Sequence, residues 1–237
     1  MKLFRSDVRL TPSWDFLNKS IALLKANPWP AIYLTLLPSL IVIVGVVLLQ
    51  HAVNQVTGDV TVDGKFYSGL GLVIIGGIWT LLTYPGAIKY QLDAVRGGAS
   101  TPSVYYKSGL RRVLPLLGLQ ILLSVLIVFG FIALIIPGII LIRGLYLAQY
   151  HMIDQNLSPI EAIKKSYRTS QPHAGYIWGT IGVGIVFSLI GSTLGQIPVI
   201  GYIISLAASL PYYFGAALRY NEIKQLPISA ADSPANV

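Results

Sequence analysis

One charge stands out inside an apolar block of this sequence: Arg143, with Tyr146 and Tyr150 at i+3 and i+7. At helical spacing the three share one polar-tipped face, which could line a bundle interior or hold a lipid phosphate. A cation at the middle of a bilayer costs ~2.5–3.5 kcal/mol on insertion scales, so such a residue is a functional candidate. Arg143 lies five residues past Gly138, about 7–8 Å along a helix, so its long stem could also reach the outer interface. Arg143, Tyr146 and Tyr150 are therefore the candidate lipid- or ligand-binding residues.

Other chemistry finds little support. His151 and Asp154 could share a helix face, but a metal needs a further ligand, and neither His51 nor His173 stands at metal spacing to them. There is no Gly-x-Ser-x-Gly, no phosphate loop and no carboxylate pair in the apolar blocks. No catalytic residue, metal site or cofactor is assigned, and the expectation is a non-enzymatic protein. Cysteine is absent, which excludes disulfides and thiolate metal sites.

These candidates need elements to carry them, and composition says which. Of the 237 residues 54% are hydrophobic and 11% charged, and the mean hydropathy is +0.67. A soluble domain carries about 25% charged residues; this chain could not cover a water-facing surface. Its apolar residues come in six blocks, at about 31–50, 68–89, 113–136, 138–153, 176–197 and 199–220. About 20 residues at ~1.5 Å rise cross a bilayer core, and unpaired backbone is not tolerated in lipid, so each block reads as a transmembrane helix.

The basic residues orient the blocks. All of the 17 Lys and Arg residues except Lys65 and Arg143 fall in the N-terminal segment, the second and fourth connections or the C-terminal end. The positive-inside rule then puts both termini in the cytoplasm of a multi-pass inner-membrane protein. The net charge of +8 serves topology, and nucleic acid is not an expected partner. The first 29 residues are polar and amphipathic, unlike a cleaved signal peptide. Between the first two blocks, Asp63-Gly64 could centre a small hairpin. Residues 224–237 read as a disordered cytoplasmic tail.

Three openings recur. Thr11-Pro12-Ser13-Trp14, Thr101-Pro102-Ser103-Val104 and Ser158-Pro159-Ile160-Glu161 each put a hydroxyl residue before proline, the pattern of an N-cap with proline at the first helical position. Glu161 completes a capping box with Ser158. Amphipathic stretches follow, Trp14, Leu17, Ile21 and Leu24 in one case and Ile160, Ile163 and Tyr167 in another, as in helices lying in the headgroup plane. The expected fold is all-α: one membrane domain over 1–223, with six transmembrane helices as three hairpins. An interfacial amphipathic helix precedes each hairpin, in units of about 11–95, 101–156 and 158–223. Gly175/Gly179 and Gly191/Gly195 are small-residue pairs that let helices approach, and Pro38, Pro85 and Pro211 are expected to kink theirs.

The run from Phe131 through Ile136-Pro137-Gly138 to Arg143, with Ser158-Pro159-Ile160-Glu161-Ala162-Ile163-Lys164-Lys165-Ser166 downstream, resembles a pattern in several bacterial membrane families. They are uncharacterised six-helix inner-membrane proteins and the membrane domain fused to some glycerophosphodiester phosphodiesterases. The resemblance covers about 105–221 and implies a six-helix bundle tied to lipid or envelope physiology. No catalytic domain is present to carry the phosphodiesterase activity. The expected role is organisation of membrane lipid, including anionic lipid, or of partner proteins, with a homo-oligomer among the partners. The alternative is a small transporter, channel or lipid-translocating protein with a cavity near Arg143.

Overall fold

The computed structural model describes residues 10–52, 62–194 and 200–226, and among them every regular element is helical. The chain opens with α1 (Asp15–Ala26). A continuous rod follows, made of α2 (Trp29–Ala31), a π-helical turn (Ile32–Leu36) and α3 (Leu37–Ala52). Then come α4 (Gly64–Val95), α5 (Pro102–Leu110), α6 (Val113–Ala133), α7 (Ile135–Leu145), α8 (Ala148–Gln155), α9 (Pro159–Ser170) and α10 (Ala174–Leu194). The described chain closes with α11 (Ile200–Ser209), a 3-10 turn (Leu210–Tyr212) and α12 (Gly215–Gln225).

Among the described residues four helices are long and apolar enough to cross a membrane: Trp29–Ala52, Gly64–Val95, Val113–Ala133 and Ala174–Thr193. Their flanks leave Ile75, Ile121 and Leu189 exposed, as hydrocarbon-facing surface requires. The chain has the build of a helical membrane protein. The other two apolar blocks, at 138–153 and 199–220, are each divided in two, into α7 and α8 and into α11 and α12.

The divisions have identifiable causes. A continuous α7–α8 helix would need the Gly144 carbonyl to accept from Ala148, four residues on. Here the Ser166 hydroxyl donates to that carbonyl at 2.7 Å and Ser170 adds a longer bond at 3.4 Å. In the last block Pro211 has no N–H to donate, and the Phe214 N–H turns aside to the Ser20 hydroxyl at 2.9 Å. Pro38 likewise cannot serve the Leu34 carbonyl. The preceding π-helical turn absorbs the mismatch, and the Thr83 hydroxyl donates to Leu34 at 2.9 Å instead. Pro85 lies inside α4, which continues past it.

Three helix pairs, α3 with α4, α6 with α7 and α10 with α11, pack side by side. In the first, a Cβ on Gly45 or Gly69 would come within 3.0 Å of the opposite backbone, so the two helices touch there without side chains between them. Gly191 faces the Ser205 hydroxyl instead, which a Cβ would meet at 3.0 Å; nothing lies near Gly175, and Gly195 is outside the described residues.

The helix that precedes each pair packs on a neighbouring unit, at the level of its break or proline. Gly109 of α5 meets the backbone of Pro85 and Gly86 in α4. Ser166 of α9 bonds Gly144 at the α7–α8 break, and Ser20 of α1 bonds Phe214 before α12. So the second unit rests on the first, the third on the second, and the first on the third: a closed ring. One small buried residue makes each contact, one helical turn after a buried Phe16, Tyr105 or Ala162.

Local starts differ from the sequence pattern in two places. Ser158 and Glu161 form the capping box, with the Ser158 N–H donating to Glu161 at 2.9 Å, and Thr101 precedes Pro102 at the start of α5, its hydroxyl paired with Ser103. The first motif is not a cap, for α1 begins only after Trp14. Asp63 centres no hairpin; it caps α4, accepting from the N–H groups of Lys65 and Phe66 at 2.9 and 3.0 Å, and residues 53–61 lie outside the described chain. Lys224 and Gln225, assigned from the sequence to the tail, belong to α12.

Candidate functional site

The broken segments bring polar side chains into the middle of the bundle. α8 is enclosed by its neighbours, with Ala148, Tyr150, His151, Met152 and Ile153 all buried. Around it a hydrogen-bonded layer joins the three units. Tyr84 donates to Gln149 at 2.7 Å, Gln120 reaches the same oxygen at 3.3 Å, and Tyr150 donates to Gln91 at 2.7 Å. Thr35 and Tyr213 share a bond of 2.8 Å, and the Tyr212 hydroxyl donates to the Thr180 carbonyl. Every buried hydroxyl or amide here needs such a partner, since leaving one bare costs about 1–3 kcal/mol.

Arg219, in α12, is the largest fully buried side chain. Its Nε donates to Thr180 Oγ1 at 2.9 Å and its Nη1 to Glu222 at 2.8 Å. Its Nη2 donates to the Thr11 carbonyl at 2.9 Å and to Ser13 Oγ at 3.0 Å. The guanidinium also lies 4.6 Å from the Phe16 ring centroid and 5.4 Å from that of Tyr176, in reach of both ring faces. Ser13 and Thr180 close the nest with a hydroxyl pair at 3.3 Å. One cation thus clasps the segment before α1 to α10 and α12.

Asp154, just beyond the fourth apolar block, anchors a second cluster. Arg96, following α4, donates to it at 2.7 Å, Lys224 at 2.5 Å and the Tyr220 hydroxyl at 2.7 Å. Burial pushes its carboxyl up, but the hydrogen bonds from Arg96, Lys224 and Tyr220 outweigh that and hold it well below the ordinary carboxylate range. Residues of all three units meet at this one anion.

The candidate residues named from the sequence have different partners. Arg143 ends α7 and donates from Nη2 to Gln171 at 2.8 Å, beyond α9 and away from the α6–α7 turn, while its buried Nε has no partner. Tyr146 sits in the break and lines a groove with Tyr212. Tyr150, past the break, points into the core toward Gln91. The helix that would carry all three is interrupted between Leu145 and Ala148, where Ser166 takes the Gly144 carbonyl. His151 does not team with Asp154 either, since its ring meets Tyr220 edge-on at 4.8 Å. Among the described residues no group of three His, Cys, Asp or Glu could hold a metal.

Two grooves flank the layer. One, of about 570 Å³, runs between α10 and α11 and is lined by Ser188, Ser192, Ser205 and Ser209 together with Ile181, Ile185, Phe187, Tyr146 and Tyr212. The other, of about 500 Å³, lies between the first helix pair and α5 and is almost wholly apolar. One groove thus presents hydroxyls among apolar side chains, and the other almost only apolar side chains.

Sequence reasoning missed Arg219 by counting it among the topological charges. The available signal was Pro211 ahead of Gly215, a stop and restart that sets Arg219 one turn inside a new helix and three residues before Glu222. No protein-family model matches this chain, and no curated protein or solved structure is detectably similar to it.

Proposed function

We propose that this chain is a non-enzymatic inner-membrane protein that organises lipid, anionic lipid included, at the cytoplasmic leaflet. On this reading six segments enter the bilayer as three hairpins, two of them with interrupted second helices, and both termini face the cytoplasm. The relation to six-helix inner-membrane families read from the Ile136-Pro137-Gly138 run belongs to the same proposal. The observation that carries it is the pairing of a filled interior with lateral grooves. The centre of the bundle is occupied by bonded side chains such as Tyr150 with Gln91 and Arg219 with Thr180, whereas both grooves lie at the side, between helices whose apolar flanks are exposed. An exposed apolar groove in a membrane protein is filled by lipid. Arg143, partly exposed near the end of α7 and held by a single side-chain bond to Gln171, is the cation placed to bind an anionic headgroup.

Identifying the lipids that remain with the protein after mild extraction tests this. Anionic phospholipid is expected to be retained, and Arg143→Leu is expected to reduce it; an unchanged lipid complement would count against Arg143. A second reading, lipid translocation, is favoured by one observation, the serine-lined groove between α10 and α11. Reconstitution with a headgroup-labelled lipid and an external quencher distinguishes the two, since only a translocator makes the inner-leaflet label accessible.

A further inference from the structure

The apolar groove has walls of two kinds. Tyr33 and Leu34 on one side and Ile75, Ile78 and Trp79 on the other belong to the first two membrane-length helices. Pro102, Ser103 and Tyr106 of α5 close one end. Tyr33, Ile75 and Ile78 are about half exposed, so the groove opens sideways, and between two membrane-length helices what lies beside it is hydrocarbon. Its aromatic lining, Tyr33, Trp79 and Tyr106, continues in Trp29, whose ring stacks at 6.4 Å on Tyr33. Trp and Tyr gather where acyl chains give way to headgroups, which marks the α5 end as the interfacial end. Lys107 follows Ser103 by four residues on α5, the same helix face, and is exposed. The first turn of α5 holds no acidic residue to repel an anion.

We propose that this groove is a specific phospholipid site, with one acyl chain along Ile75, Ile78 and Trp79 and an anionic headgroup at Lys107. The inference names a site for the lipid-binding reading above and rests on it. A headgroup phosphate at the end of the groove lies within a lysine's reach of Lys107, and one basic residue near a membrane surface is worth about a fivefold preference for anionic lipid.

Trp79 reports on the site directly. The chain has four tryptophans, and Trp14→Phe, Trp29→Phe and Trp178→Phe together leave Trp79 alone. The full chain carrying these changes is reconstituted with a minor fraction of brominated phosphatidylglycerol or, separately, brominated phosphatidylcholine. Quenching of Trp79 by the anionic lipid should exceed its share of the bilayer, with about a fivefold preference over the zwitterionic lipid. Lys107→Gln should abolish the preference, and Ile78→Phe, which fills the groove, should weaken quenching by both lipids. Both are exposed positions, and an unchanged helical spectrum confirms folding. Quenching that merely follows the bulk fraction for either headgroup overturns the site. If the unmodified protein still retains anionic lipid in that case, the general lipid reading survives; if it retains none, both fall.

Discussion

Arg143 and Arg219 both lie in apolar stretches of the sequence, and the structure treats them in opposite ways. Arg219 is wholly buried, and its guanidinium donates to Thr180, Glu222, Thr11 and Ser13. Arg143 is partly exposed, makes one side-chain bond to Gln171 and leaves its Nε bare. A buried cation can be kept only if its donors are satisfied, because the cost of desolvating it is several kcal/mol. Arg219 therefore ties the segment before α1 to α10 and α12, whereas Arg143 keeps part of its side chain at the surface, where the lipid proposed above would meet it.

The comparison can be broken most sharply at Arg219. Arg219→Met strands the Thr180, Ser13 and Glu222 acceptors and frees the segment before α1, and should cost about 3–5 kcal/mol, seen as a large loss of thermal stability in detergent. Arg219→Lys should recover little, since an ammonium cannot reproduce the fork that reaches α10, α12 and the Thr11 carbonyl together. A lysine variant as stable as the parent would mean that charge alone matters there.

Asp154→Asn comes next, at about 2 kcal/mol, because its Arg96 and Lys224 partners are partly in water and their pairing is discounted accordingly. The sign of its pH dependence follows from a carboxyl held below its ordinary value. Its contribution is complete above the unfolded carboxylate range and is lost as pH falls through that range toward the folded value. The gap in thermal stability between parent and Asp154→Asn should thus stay constant between pH 8 and pH 6, and should close only in strong acid.

Ser166→Ala removes the bond that diverts the Gly144 carbonyl and should cost about 1 kcal/mol. The smallest effect belongs to Arg143→Met, within about 1 kcal/mol of the parent in stability, its consequence being confined to lipid retention. A destabilisation as large as that of Arg219→Met would erase the distinction between the two arginines.

Much of this was legible in the sequence, and the remainder has a common cause. Block length and hydropathy identify the four long helices, and the Ser158–Glu161 spacing gives the capping box, because these depend on local chemistry alone. The hydroxyl-proline openings point to the helices before each pair. What they do not convey is that Ser20, Gly109 and Ser166 each dock on another unit's backbone. Those contacts span from 22 residues, in the case of Ser166 and Gly144, to 194, in the case of Ser20 and Phe214. The breaks at Tyr146 and Phe214 arise from them, so an apolar block that reads as one helix becomes two. Arg143, Tyr146 and Tyr150 find different partners for the same reason, and Arg219, counted among the C-terminal topological charges, turns inward because the helix restarts at Gly215.

The central claim is that the first unit closes on the third, and the absence of cysteine makes it directly measurable. Ser13 and Thr180 face each other with hydroxyls 3.3 Å apart across 167 residues. In the double variant Ser13→Cys, Thr180→Cys, mild oxidation in the membrane should form an intramolecular disulfide in most of the monomer, seen as a reducible mobility shift absent from either single variant. No cross-link, or only a cross-linked dimer, would contradict the closed ring.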